Sequence, residues 1–108
     1  MRFRIIIIFS FFMNLNANAD KNDQLLSQGK TVYNDKCLSC HGSTGKGDGP
    51  VGENLSKKLQ PLKKSSEKQI IDVSNAGKKD MMPDYRTSLT AEQKQAVAKY
   101  IMEALDKN

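Results

Sequence analysis

The sequence contains no tryptophan, two cysteines and a single histidine, and each scarcity closes off a kind of chemistry. A structural zinc site takes four Cys or His ligands, and Cys37, Cys40 and His41 make only three. One cysteine pair permits one disulfide, which leaves the adjacent histidine unexplained. No stretch reads as a convincing strand, so the β-α-β setting of a thioredoxin-like redox pair is missing. The glycine-rich stretch lacks the Gly-Lys-[Ser/Thr] ending of a phosphate loop, and no strand leads into it. No tight Lys/Arg block or aromatic-interleaved basic motif marks a nucleic-acid surface. No apolar run approaches the roughly 20 residues of a membrane-spanning helix.

What the chain does have begins with an export signal. Arg2 and Arg4 precede an apolar run over 5–13 broken only by Ser10, and Ala17-Asn18-Ala19 supplies the small-x-small end. These are the three parts of a cleaved secretory signal. Residues 1–19 are therefore read as signal peptide and 20–108 as one domain, exported to the periplasm and not inserted in the membrane after cleavage. The net charge is +5 at pH 7. It falls with Arg2 and Arg4 but stays positive, which suits acidic protein partners. Much of the apolar composition leaves with the signal. A remainder this short and lean in large apolar side chains usually needs a staple or a cofactor to complete its core.

The local pattern is all-α with long loops. Leu25, Leu26, Gly29, Val32 and Tyr33 recur at helical spacing over Asp23 to Asn34, with Asp23 as N-cap. Glycine inside a helix costs about 1 kcal/mol against alanine, so Gly29 implies a close helix crossing. Ser66-Glu67-Lys68-Gln69 is a capping box that opens a second helix through Ile70, Ile71 and Val73, with Gly77 as its stop. Thr90-Ala91-Glu92-Gln93 opens a third. Its apolar stripe is Val97, Tyr100, Ile101, Ala104 and Leu105, with Glu92, Lys94, Lys99 and Glu103 outward. The stretch from Gly42 to Gly52 holds five glycines and reads as irregular. A lysine-rich loop broken by Pro61 follows it.

Cys37-Leu38-Ser39-Cys40-His41 carries the chemistry. Cysteines three apart fall on one face, one helical turn from each other. Two sulfurs placed so can hold the edge of a planar group while the next residue's imidazole takes a metal at its centre. C-x-x-C-H is accordingly the pattern of covalent c-type haem attachment. One haem, with its iron, is the cofactor implied.

With that motif stand Gly29-x-x-x-Tyr33, Cys40-His41-Gly42, Gly47-x-Gly49-Pro50, Met82-Pro83-x-Tyr85 and Leu89-Thr90-x-Glu92 leading to Tyr100-Ile101. In this order, over nearly all of 20–108, they resemble a class I monohaem c-type cytochrome. The resemblance implies a small cytochrome c fold: three main helices and long loops wrapped round one covalently bound haem c, the first and last helices crossing near Gly29 and Tyr100. It implies a one-electron carrier rather than an enzyme, with His41 as one axial ligand. No second histidine exists for the other side, and His/Met ligation is the alternative. Met13 leaves with the signal, and Met102 on the last helix reads as a packing residue. Neighbouring extended residues point to opposite sides, so only one of Met81 and Met82 faces the iron. The family ligand, the Met directly before Pro, corresponds to Met82. A family proline whose carbonyl accepts from the ligating imidazole corresponds to Pro50, with Pro61 as the other candidate. Tyr85 packs against the haem or its propionate side, or is a plain core residue. Lys57, Lys58, Lys63, Lys64 and Lys68, with Lys78 and Lys79, either form a positive rim for redox partner proteins or are an evenly solvated surface. The protein acts as a monomeric carrier in a respiratory chain, or as a haem-bearing subunit of a larger redox complex.

Overall fold

The computed structural model describes residues 17–62, 65–79 and 81–105, with side chains from residue 21 onward. The basic start and apolar run of the expected signal lie outside these residues, as do Lys63, Lys64 and Asp80. The elements are α1 (Ala17–Lys36), α2 (Leu38–His41), a 3-10 turn (Gly52–Asn54), α3 (Glu67–Ala76) and α4 (Ala91–Glu103). Among the described residues there is no strand, only an isolated antiparallel bridge between Lys78 and Met82. The class is all-helical, as the sequence implies, and α1, α3 and α4 are its main helices.

The packing of α1 on α4 dominates. Tyr33, Val97 and Leu105 are fully buried at this crossing, joined by Val32, Ala98, Tyr100 and Ile101. The rings of Tyr33 and Tyr100 lie 5.5 Å apart and tilted by 51°, within the range favourable for aromatic pairs. Gly29 makes the crossing possible. A Cβ built there would stand 2.7 Å from the carbonyl carbon of Ala96 and 2.8 Å from Cβ of Tyr100. Two effects oppose each other in Gly29→Ala: helix propensity gains about 1 kcal/mol, while overpacking costs about 1–3 kcal/mol. The clash is with backbone and a Cβ, neither of which can swing away, so overpacking wins. Gly29→Ala is expected to lower the thermal midpoint; an unchanged or raised midpoint would show that the helices can part without cost.

Both expected capping boxes are formed. Ser66 Oγ accepts from the Gln69 N–H at 3.2 Å, and Gln69 Oε1 accepts from the Ser66 N–H at 2.8 Å. Thr90 and Gln93 repeat the pair at 3.1 and 2.8 Å. Gly77 ends α3 at φ +65°.

Three local expectations are corrected. α1 starts upstream of Asp23, which sits exposed within the helix and does not cap it. No proline or glycine stands between Ala17 and Asp23 to stop the helix there. Lys94 is buried, not outward, and its Nζ donates to the Arg86 carbonyl at 3.0 Å; the aliphatic stem covers core while the ammonium finds an acceptor. Met102 is 50% exposed rather than packed, because the α1-facing stripe passes through Ile101 and on to Leu105.

Candidate functional site

The Cys37-Leu38-Ser39-Cys40-His41 motif is held by hydrogen bonds on both sides. The Cys37 N–H donates to the Tyr33 carbonyl at 2.8 Å, so α1 runs almost directly into α2. The Tyr33 hydroxyl donates to the Gly42 carbonyl at 2.6 Å and pins the far end of α2 to α1. Burial, with smaller contributions from Cys37, Tyr100 and Asp48, raises the Tyr33 pKa and keeps that hydroxyl a donor.

The carbonyls of a one-turn helix need partners outside it. The glycine-rich segment supplies them. Gly47 N–H donates to the His41 carbonyl at 2.8 Å, Gly49 N–H to Cys40 at 3.2 Å, and Val51 N–H to Ser39 at 2.9 Å. Alternate residues of one segment thus cover successive carbonyls of α2. Close approach requires the absence of a side chain: a Cβ at Gly49 would stand 2.6 Å from the Leu38 carbonyl oxygen. Composition alone reads this stretch as irregular loop. Its signal is the alternate spacing of Gly45, Gly47 and Gly49 directly after the motif.

A cavity of about 480 Å³ opens beside α2, within the roughly 300–1,000 Å³ typical of cofactor and ligand sites. Cys37, Cys40 and His41 line it from one segment; Met81, Met82 and Tyr85 line it from another. Leu59, Leu62, Ile70, Val73, Val97 and Ile101 give it an apolar wall, and Lys36, Lys58 and Lys78 also reach it. The two cysteines are unbonded and half-buried. Burial first, then the neighbouring Cys40, pushes the Cys37 thiol up to about 11. A thiol so raised is the reverse of a reactive redox cysteine, whose pKa is lowered. Burial also lowers the His41 pKa, favouring the neutral imidazole that a metal requires. Among the described residues no group of three or more Cys, His, Asp or Glu could hold a bare metal ion.

The expected site residues fall unevenly. Cys37, Cys40, His41, Met82 and Tyr85 are brought together. Pro50 is not: it is exposed just ahead of the 3-10 turn, and its carbonyl accepts from Asn54 Nδ2 at 2.7 Å. His41 Nδ1 is buried and has no hydrogen-bond partner among the described residues, so the His41-to-Pro50 bond implied by the resemblance is not made. Pro61 lines the cavity instead. Met81 and Met82 both line it, where an extended chain would admit only one. The tight turn is the reason, since Lys78 N–H donates to the Met82 carbonyl and Met82 N–H to the Lys78 carbonyl, each at 2.8 Å. Of the lysines, Lys68 is engaged with Asp72 at 2.6 Å.

The residues present fit a covalently held haem. An apolar cavity is lined by two free thiols on one helical face, by a half-buried imidazole whose pKa burial lowers and whose buried Nδ1 has no partner among the described residues, and by thioethers from a second segment.

Comparison with known proteins points the same way. A family model described as Cytochrome C oxidase, cbb3-type, subunit III matches residues 24–101. The Cbb3-type cytochrome c oxidase subunit FixP of Bradyrhizobium diazoefficiens is 26% identical over 98 residues, 90% of this chain. The match covers 33% of that protein, so the chain spans about a third of its relative's length. Among solved structures, the KustC0563 c-type cytochrome is similar at a TM-score of 0.58 and 28% identity, over 68% of this chain and 92% of that one.

Proposed function

Since the chain belongs to the cytochrome c domain family of cbb3-type oxidase subunit III, whose members transfer electrons, we propose that it is an exported monohaem carrier moving single electrons between redox partners. In this reading Cys37 and Cys40 hold haem c through two thioethers, His41 and Met82 are the axial ligands of its iron, and Tyr85 packs beside it. The observation that carries the reading is that one cavity is lined by both cysteines and His41 from one segment and by Met82 from another, more than 40 residues on.

Bound there, haem supplies a one-electron iron couple. The chain does the rest. The apolar wall excludes water and lowers the local dielectric. A thioether on the iron favours the reduced state. With His41 and Met82 both holding the iron, haem would offer no open place for substrate, which favours a carrier over an enzyme. Lys36, Lys58 and Lys78 at the cavity wall put positive charge where a partner approaches, and such fields speed encounter with acidic surfaces. Residues 1–19 direct export to the periplasm, where the haem is attached, and cleavage after Ala19 leaves residues 20–108 as the cytochrome domain.

A second reading is favoured by the relative's name: the chain is a haem-bearing subunit of a larger oxidase-type complex. Co-purification with a large membrane subunit at stoichiometric ratio would select it over the free carrier.

Expression in a bacterial periplasm with haem-attachment machinery is expected to give a chain that stays haem-stained on a denaturing gel. Its mass is expected to be that of residues 20–108 plus one haem, and its redox titration reversible with a single electron. A denatured chain without haem would sink the proposal.

A further inference from the structure

We propose that Tyr85 is a positioning residue: its side chain latches the Met82 segment onto the haem-attachment site. The inference rests on Met82 as an axial ligand and adds how that ligand is held.

All three polar groups of Tyr85 are used, each on a different part of the chain. Its N–H donates to the Ser74 carbonyl of α3 at 2.6 Å. Its carbonyl accepts from the Leu89 N–H at 3.2 Å, just before the Thr90 cap of α4. Its hydroxyl donates to the Lys36 carbonyl at 3.2 Å, across 49 residues of sequence. Lys36 ends α1 and immediately precedes Cys37. Among the described residues, this is the one hydrogen bond joining the segment 78–89 to α1 or α2. The segment's other bonds run within itself, to α3 or to α4.

The consequence follows from where the ligands sit. His41 and the cysteines are fixed to α1 and α2, while Met82 rides on a turn closed only on itself, through Lys78. A bond between iron and a thioether is weak enough to exchange, so its occupancy depends on how well the two segments are kept in register. Tyr85 stands three residues after Met82 and lines the same cavity. Its ring fills the wall, and its hydroxyl sets the distance between the two halves of the site. Removing the hydroxyl alone leaves the ring and both backbone bonds in place.

The test uses the haem-loaded protein and imidazole, which binds ferric iron only where Met82 has left it. Tyr85→Phe is expected to bind imidazole roughly two- to tenfold more tightly than wild type, the range set by one hydrogen bond of about 0.5–1.5 kcal/mol. Tyr85→Leu, which loses the ring as well, is expected to shift further in the same direction. Unchanged imidazole affinity in both variants overturns the latch, even if denaturant stability falls, because stability alone reports packing. A wild-type protein without the long-wavelength sulfur-to-iron absorption would overturn the Met82 assignment itself, a result read before any variant is made.

Discussion

Replacing Cys37 and Cys40 together by alanine is expected to give a chain that carries no covalent haem and does not hold its fold. The buried set is small: beyond the α1–α4 crossing of Val32, Tyr33, Val97, Ala98, Tyr100, Ile101 and Leu105 it adds little more than Ile70 and Leu89. A further set of apolar side chains, among them Leu59, Leu62, Ile71 and Val73, is only partly covered and faces or adjoins the cavity of about 480 Å³. With the cavity filled, these side chains become core. With it empty, they line a void or meet water. Domains this short hold on the order of 5 kcal/mol of net stability, and a group that binds only the folded state contributes directly to that sum. Losing it removes most of the margin. Circular dichroism should show helix content collapsing in the double variant, with no absorbance surviving denaturing electrophoresis. Single variants are expected to keep the haem on the remaining sulfur. A stable, helical double variant would show that the crossing alone suffices and that the cavity is not part of the folding unit.

What could be read from sequence and what could not divides along a physical line. Capping boxes are local, involving residues three apart, and Ser66–Gln69 and Thr90–Gln93 were therefore legible. Gly29 was legible because a helix tolerates the propensity penalty only where something crosses closely, and Ala96 and Tyr100 do. The Cys37–His41 motif was legible as a pattern because it sits in five consecutive residues, and both cysteines and the histidine line one cavity. The rest depends on where distant segments meet. Lys94 looks outward by helical phase, yet a carbonyl at Arg86 draws its ammonium inward. The glycine stretch looks irregular until the bare carbonyls of α2 are counted against Gly47, Gly49 and Val51. Pro50 sits at the expected offset from the motif, but Asn54 takes its carbonyl. The single-facing rule for Met81 and Met82 assumed extended backbone. The Lys78–Met82 turn bends it, and both side chains reach the cavity.

That last departure makes Met82→Ala the sharpest test of the site. The variant is expected to keep its fold and its haem, because Met82 is only half-buried and alanine retains the backbone bonds to Lys78. The sulfur-to-iron absorption of the oxidised protein should vanish. The reduced form should bind carbon monoxide at neutral pH, which the wild type should not. The potential should fall, since His/Met ligation raises it; axial ligands set haem potentials over about 0.8 V, so a drop of a few tenths of a volt is the scale to look for. Met81→Ala is the necessary companion, as Met81 lines the same cavity one residue away. It should leave the absorption, the potential and the closure to carbon monoxide unchanged, at the cost of some packing. Were the outcomes reversed, Met81 would be the ligand and Pro83 would fix its neighbour. Were neither single variant to lose the absorption, the two sulfurs would substitute for one another, and the turn rather than one side chain would define the sixth position.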